Sequence, residues 1–533
     1  MDDKARSILD MIPRGMSRRD FMMQSGAMAL GAASMGLLTV PSLPAIAATQ
    51  PRRGGRAMVC MDTARPDEYL DPMRSNTRQA HVRQFVLYNA LVRISPELKP
   101  TPELATSWTS TPDARQWVFK LRKGVTFHNG KTLTSADVVY SLRRHTGPKS
   151  ESQGASFMAA VTEVRAEDES TVRVTLSGPN AEFPLILGLY MMMIVPDGFG
   201  AADLEKGIGT GPFKLKEFKP GIRGVFVRNE NYWKAGLPYV DEIELFAIPN
   251  ISSRTNALLA GEIDIMGVVD PKTVALLEKA PDIDIVSAKS NAHTVISGMV
   301  DRGPTADPNV RLALKYAADR QRAQQSIFKG HSQIGNDHPI APFDSYYCSD
   351  IPAHVYDPER ARFYIRKAGL ENQEIALYTA ETPGPGAVEL AVLFQQSAAA
   401  AGINIKVNRV PPETFWPNTW LKQPLIVSGW NSHFSPDAIF TEAFAKGERR
   451  NETHWANDRF QQLMIEARGV LDFAKRKEMY FEMQRLLHDE GGFIAPCFYD
   501  LIDAKRSRVR GMEPHPMGNM SGYEVCEQLW LTS

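Results

Sequence analysis

The sequence lacks an excess of charge of either sign, because Lys+Arg and Asp+Glu both number 61 among its 533 residues. A nucleic acid or an anionic membrane surface selects for a basic excess, so neither is expected as a partner. After residue 47 the sequence also lacks the roughly 20 consecutive apolar residues that span a bilayer. We therefore expect a soluble globular protein, and its length predicts more than one lobe.

Cysteine is scarce and scattered. The four cysteines, Cys60, Cys348, Cys497 and Cys526, are far apart in sequence, so there is no C-x-x-C motif for a metal or for redox chemistry. An oxidising compartment allows such residues to pair. Burial as free small side chains is the alternative, and the spacing does not decide between the two.

Motifs that activate a nucleophile or a metal are missing as well. The sequence contains no G-x-S-x-G, no H-E-x-x-H and no S-x-x-K followed by K-T-G. Gly130-Lys131-Thr132 looks like the end of a phosphate-binding loop, but Val125 stands where that loop needs a glycine. His331 and His338 are neighbours in a glycine-rich segment, which favours a loop over a metal site. We expect no enzyme, no cofactor and no resident metal.

The first 47 residues have the pattern of a secretory signal. Paired arginines, Arg18 and Arg19, precede an uncharged stretch from residue 26 to 40, and Ala45-Ile46-Ala47 supplies a small-x-small cleavage site. The arginine pair and the mild apolar stretch favour twin-arginine export. The protein is therefore expected in the periplasm.

Two later segments are typical of strand–helix–strand units, which predicts an α/β fold with two lobes. The hydrophobic period changes between 2 and 3.6 in both. The first unit comprises a strand at 242–247, a helix capped by Ser252 or Ser253, and a strand at 263–265. The second comprises a strand at 374–378, a helix at 387–401 and a strand at 403–407.

Helices are predicted in two further places. Thr134 and Asp137 have the spacing of a capping box at the start of a helix. Near the C-terminus a core-facing stripe has helical spacing. Its members are Phe460, Leu463, Met464, Ala467, Val470 and Leu471.

Several motifs resemble those of one family, the bacterial family 5 solute-binding proteins for peptides, nickel complexes and opines. They follow in family order over most of the chain: 102–105, 117–131, 209–213, 229–233, 310–320 and 357–369. The resemblance implies a bilobed periplasmic-binding-protein fold of type II with an extra subdomain. One lobe would hold 48–300 completed by 501–533, and the other 301–500. The ligand would lie between the lobes, and the protein would act as a monomer that docks on the permease of an ABC importer.

The same resemblance points to binding residues around Gly429-Trp430-Asn431-Ser432-His433. Peptide receptors of this family have an Asp that pairs with the ligand's ammonium group at the position of His433. Trp430 is expected to form an apolar wall, with Asn431 beside it. Because His433 carries no fixed negative charge, free peptides are expected to bind weakly unless nearby Asp437 replaces the missing carboxylate.

Two further segments are candidates for the binding site. Trp416, with Trp420, can form a second aromatic wall, although core packing is an equal interpretation. The segment 451–455 combines polar and aromatic residues, including His454 and Trp455, which suits a ligand that both stacks and hydrogen-bonds. A solvated loop without a binding role is an equal interpretation of this segment.

The sequence thus predicts a receptor for a short peptide or a peptide-like solute such as an opine. A metal-chelate, nickel or haem receptor that uses His433, His454 or the His331/His338 segment remains an alternative. A periplasmic hydrolase on the same scaffold is a third hypothesis, but no nucleophile–base pair is visible for it.

Overall fold

The structure is a computed structural model that describes residues 50–148 and 150–532. The predicted signal segment, with Arg18 and Arg19, lies outside the described residues. Over the described ranges, no helix combines the length and the apolar character needed to cross a membrane.

The strands, in chain order, are β1 (Arg56–Met61), β2 (Val92–Ile94), β3 (Pro100–Pro102), β4 (Ala105–Ser110), β5 (Gln116–Leu121), β6 (Val161–Asp168), β7 (Thr171–Leu176), β8 (Phe213–Lys219), β9 (Arg223–Arg228), β10 (Glu242–Ala247), β11 (Ile265–Met266), β12 (Ile283–Ala288), β13 (His293–Gly298), β14 (Ser332–Ile334), β15 (Glu374–Thr379), β16 (Asn404–Arg409), β17 (Leu425–Trp430), β18 (Phe493–Tyr499), β19 (Leu501–Arg506), β20 (Val509–Arg510) and β21 (Trp530–Leu531).

The helices are α1 (Arg78–Leu87), α2 (Ser135–Arg143), α3 (Phe183–Ile186), α4 (Ala201–Lys206), α5 (Ile251–Ala260), α6 (Pro271–Leu277), α7 (Pro308–Ala317), α8 (Arg320–Ser326), α9 (Pro358–Lys367), α10 (Ala387–Ala399), α11 (Pro412–Thr414), α12 (Pro436–Phe444), α13 (Asp458–Ala467), α14 (Phe473–Glu490), α15 (Asn519–Gly522) and α16 (Val525–Gln528). Short 3₁₀ turns lie at Pro72–Arg74 and Pro304–Ala306, and a π-helical turn lies at Phe415–Thr419.

The first large sheet has the strand order β12-β19-β11-β1-β10-β9-β8. Strand β1 is parallel to both β10 and β11, so β10, α5 and β11 form a strand–helix–strand unit with β1 inserted between its strands. The first predicted unit is confirmed. Its predicted cap is wrong, because the side chain of Asn250, not of Ser252 or Ser253, accepts the hydrogen bond from the Ser253 backbone N–H at 2.9 Å.

The second large sheet has the order β14-β18-β13-β17-β15-β16. Strands β15 and β16 are parallel, and α10 connects them, which confirms the second predicted unit. Each large sheet has its own buried apolar core. Alternating apolar side chains on the strands pack against the apolar faces of the connecting helices, as such units require.

The chain crosses between the two large sheets twice. It passes from β12 to β13 through residues 289–292 and returns from β18 to β19 at Asp500. The two crossings are hydrogen-bonded side by side, since Tyr499 N–H donates to Ala292 O at 3.0 Å and Ser290 Oγ–H donates to Tyr499 O at 2.6 Å. The lobe boundary at residue 300 stays a prediction, and strand pairing favours a boundary at 289–292 instead.

A smaller antiparallel sheet with the order β4-β5-β7-β6 occupies the place of the predicted extra subdomain. Phe119 of β5 is fully buried, and its ring centroid lies 6.4 Å from that of Phe183. The capping box of Thr134 and Asp137 is present at the start of α2, as the spacing predicts.

The C-terminal helices correct one prediction. Phe460, Leu463, Met464 and Ala467 are buried on α13. The helix ends at Ala467, so Val470 and Leu471 do not continue its stripe, and Leu471 is 42% exposed. The four cysteines are all buried and free, which decides the open question in favour of burial.

Candidate functional site

A cleft of about 2110 Å³ is lined by residues from both large sheets and from the smaller subdomain. His81 and Arg254 line it on the side of the first large sheet. Trp430 and Glu452 line it on the side of the second, and Phe157 lies on the side of the smaller sheet. The polypeptide crossings at 289–292 and 500 lie beside this cleft. This arrangement places a large cavity, lined by both polar and apolar side chains, at the junction of separately folded cores.

Trp430 is the last residue of β17, which lies between β13 and β15 in the second sheet. It is 8% exposed and lines the cleft. Its Nε1–H donates to Glu452 Oε1 at 3.2 Å. The predicted aromatic wall is thus in the cleft, fixed by a central strand and by one hydrogen bond.

Glu452 is a buried carboxylate that the sequence analysis did not single out. Besides Trp430, its Oε1 accepts from Ser297 Oγ–H at 2.6 Å and from Ser428 Oγ–H at 2.7 Å. Its Oε2 accepts from Trp420 Nε1–H at 2.7 Å. The two indole N–H groups can only donate, so both oxygens of Glu452 act as hydrogen-bond acceptors.

Trp416 and Trp420 form a second aromatic wall of the cleft. Their ring centroids are 5.3 Å apart in an edge-to-face arrangement of 77°, a favourable geometry for aromatic pairs. Trp416 belongs to the π-helical turn and is 43% exposed. Its core-packing interpretation therefore fails, and an exposed indole is presented to the cavity.

His433 lies in the loop between β17 and α12, and it lines the cleft. Asn291, from the crossing segment, holds this loop: its Nδ2 donates to His433 O at 2.9 Å, and His433 N–H donates to its Oδ1 at 2.8 Å. The ring Nε2 lies 2.8 Å from Glu442 Oε2, and Arg450 also pairs with Glu442. Burial lowers the pKa of the His433 imidazole to about 4, so the ring is neutral near pH 7.

Asp437 and Asn431 also line the cleft. Asn431 is exposed. Asp437 lies in the first turn of α12 and accepts from Arg468 Nε–H, with N···O distances of 2.9 and 3.1 Å. Burial raises the pKa of Asp437 against the opposing effect of Arg468. Because this carboxylate already has a cationic partner, it does not stand free to replace the one missing at position 433.

The structure places Trp455 and His454 outside the cleft lining. Trp455 is buried in a core cluster, with its ring centroid 5.0 Å from that of Phe460. His454 Nδ1 lies 3.0 Å from the Asp301 carboxylate. In the segment 451–455, Glu452 lines the cavity. Trp455 instead packs in the hydrophobic core.

The histidines outside the cleft do not form an evident metal site. His338 is fully buried, while His331 is half-buried in a turn. Over the described ranges, Asp337, His354 and His488 bring possible ligand atoms within 4.8 Å of one another. However, Arg320 donates to both oxygens of Asp337, at 2.6 and 2.8 Å. Burial opposes ionisation of Asp337, but Arg320 and His354 outweigh it and lower its pKa. A guanidinium already occupies the place of a cation.

The wall formed by the first sheet carries residues that sequence reasoning missed. His81 stacks on Tyr190 with ring centroids 3.6 Å apart, and burial lowers the pKa of its imidazole to about 3. Arg78 pairs with Asp62 at 2.7 Å. Arg78 and His81 are three residues apart on α1, a spacing that places both on one face of a helix. The spacing does not indicate that this face lines a cavity.

Comparison with known proteins gives a consistent result. The sequence model described as "Bacterial extracellular solute-binding proteins, family 5 Middle" matches residues 99–452. The Dipeptide-binding protein of Escherichia coli K12 is 24% identical over 536 residues, covering 93% of this chain and 97% of that protein. Heme-binding protein A of Haemophilus influenzae is 26% identical over 481 residues, covering 82% of this chain and 86% of that protein.

The fold is shared with solved structures. The periplasmic binding protein DppA of Helicobacter pylori, solved in complex with the peptide STSA, superposes with a TM-score of 0.75 at 25% identity, covering 90% of this chain and 99% of that one. The two large sheets with the cleft between them are therefore the two lobes of a bilobed periplasmic-binding-protein fold. The predicted fold class is confirmed.

Proposed function

This chain belongs to the family 5 bacterial extracellular solute-binding proteins, and on that premise we propose that it captures a short peptide or a peptide-like solute in the periplasm. It would then deliver the solute, as a monomer, to the permease of an ABC importer. We further propose that it is a receptor only and does not change its ligand chemically.

The observation that carries this proposal is the composition of the cleft. Ligand pockets typically measure about 300–1,000 Å³, and this cleft, at about 2110 Å³, is larger. It offers tryptophan side chains for stacking together with amide, imidazole and carboxylate groups for hydrogen bonds. That mixture suits an amide-containing chain better than a purely apolar ligand.

The proposed contacts follow from the positions of the side chains. Trp430, next to the Glu452 carboxylate, and Trp416, next to Trp420, would provide flat apolar surfaces in the cleft. Asn431 would offer an amide to the ligand backbone. The neutral ring of His433 and the paired carboxylate of Asp437 would line the polar end of the cavity.

The experiment is mass spectrometry of solute released by acid from the protein purified from its native host. We expect about one peptide or peptide-like molecule per protein, recovered unchanged after incubation. Re-added at about 100 times its dissociation constant, it should raise the free energy of unfolding by roughly 2.7 kcal/mol.

A matched pair of variants tests the cleft itself. Trp416→Ala removes an exposed indole inside the cavity, and Phe363→Ala removes an exposed ring, 60% exposed on α9, outside it. The first should lower solute retention, and the second should not. Release of haem or a nickel chelate instead, or steady product formation, would contradict the proposal.

A further inference from the structure

We infer that Glu452 is a subsite for a positively charged nitrogen group, so that the protein selects solutes carrying a free ammonium. This inference rests on the proposed function and names the chemistry that the cleft recognises. The residues come from four separate segments, which the fold brings together at Glu452.

The hydrogen bonds of Glu452 leave one oxygen with unused capacity. Oε1 accepts three hydrogen bonds, from Ser297, Ser428 and Trp430. Oε2 accepts one, from Trp420. A carboxylate oxygen has about two lone-pair sites, so Oε1 is saturated while Oε2 can accept a further donor from the cavity.

The charge of Glu452 has no cationic partner among the described residues, although the side chain is only 3% exposed. Other buried carboxylates of the cleft differ in this respect. Glu182 lies 3.7 Å from Arg476, and Asp500 lies 2.8 Å from Lys289. Burying a carboxylate without a cationic partner is unfavourable even when it accepts hydrogen bonds, and a bound ammonium would offset that cost.

The aromatic side chains around Glu452 suit a cation as well. Trp420 and Trp430 both donate to its carboxylate, and Trp416 lies against Trp420 with ring centroids 5.3 Å apart. A cation within about 6 Å of a tryptophan ring is attracted to its π face. Trp420 and Trp430 turn their N–H edges toward the carboxylate, so the face for such a contact would come from the exposed ring of Trp416.

The subsite changes what is expected of free peptides. Position 433 lacks a carboxylate, but Trp430 contacts Glu452 at 3.2 Å, and its ring centroid lies 6.0 Å from that of His433. The negative charge is thus supplied by another neighbour of the same tryptophan. Peptides with a free amino terminus should therefore bind tightly, and not weakly as expected from position 433 alone.

The test uses a synthetic library of di- to tetrapeptides without Lys, Arg or His, in free and in amino-terminally acetylated form. The amino terminus is then the only positive charge. Bound peptides are separated by ultrafiltration and identified by mass spectrometry, and their affinities are measured by calorimetry. Wild type should prefer the free form by roughly ten- to a hundredfold, as expected for a hydrogen bond to a charged group.

Variants locate the effect. Glu452→Gln should abolish the preference for free peptides, while Glu448→Gln, which removes an exposed carboxylate of the same cleft, should keep it. The wild-type comparison remains decisive if Glu452→Gln does not fold. Equal binding of both forms by wild type, or an unchanged preference in folded Glu452→Gln, would overturn the subsite but leave a peptide receptor. Capture of no peptide in either form would overturn the proposed function as well.

Discussion

At His433, burial and a neighbouring charge act in opposite directions on one ring. Glu442 Oε2 lies 2.8 Å from Nε2 and favours the charged imidazole, whereas burial favours the neutral form and lowers the pKa to about 4. An ordinary histidine titrates near pH 6.5. Between about pH 6.5 and pH 4, the unfolded chain therefore binds a proton that the folded protein does not. The contribution of His433 to stability falls as the pH falls through this window.

We expect His433→Gln to lose less stability on acidification than wild type does. The difference between pH 7 and pH 4.5 should be up to about 3 kcal/mol, measured by urea unfolding at the two pH values. His454→Gln, at a half-buried imidazole outside the cleft, serves as the control. A His433 resonance that titrates above pH 6.5 by NMR would show that Glu442 has the larger effect.

The sequence predicted the position of some residues in the cleft but not of others. Trp430 could be predicted because its position matches a family motif and an indole offers a flat apolar wall with one donor. Glu452 could not, because its character depends on Ser297, Trp420 and Ser428 from three other segments. Its sequence neighbour Trp455 looked equally suitable, and only tertiary packing separates a cavity side chain from a core one.

At the scale of elements, periodicity predicted both strand–helix–strand units, because apolar alternation directly reflects which side chains are buried. Periodicity could not predict the order of the strands in the sheets. Strand β1 enters between β10 and β11 from far away in sequence, and no local pattern records that pairing. Helix ends also shifted, as at Asn250, because several polar residues near the start of α5 were competent to cap it.

The loop between β17 and α12 depends on Asn291, which bonds both the N–H and the C=O of His433. Asn291→Ala should lower the free energy of unfolding by about 1–3 kcal/mol, because it leaves part-buried backbone groups without partners. It should also weaken binding of the free-amine peptides, since Asn431 and His433 lose their fixed positions. Chemical denaturation and calorimetry measure the two effects.

Ser432→Ala provides the control within the same loop. The Ser432 hydroxyl is buried and has no hydrogen-bond partner among the described residues, so its removal should change neither stability nor affinity by much. Equal effects of the two variants would mean that Asn291 does not hold the loop in the way its hydrogen bonds suggest.

At the scale of the whole molecule, an ion pair links the two large lobes across the cleft. Lys272, at the start of α6 beside the first sheet, lies 2.7 Å from Glu389 of α10 beside the second. Both side chains are about half exposed, at 49% and 45%. Exposed pairs contribute only about 0.2–1 kcal/mol, but this one acts on the distance between the two lobes, which close around ligands in hinged receptors.

We expect Lys272→Glu to place two carboxylates opposite each other and to favour an open cleft. The radius of gyration from small-angle X-ray scattering should rise, and affinity for the free-amine peptides should fall a few-fold. Adding Glu389→Lys should restore both, and the single variant's defect should shrink in 1 M salt, where the screening length is about 3 Å. Lys406→Glu breaks an equally exposed pair with Glu374, at 3.1 Å, within the second sheet. Since that pair does not span the cleft, Lys406→Glu should leave the radius of gyration and the peptide affinity unchanged. An equal loss of affinity in Lys406→Glu would show that surface charge in general, rather than lobe closure, sets the affinity.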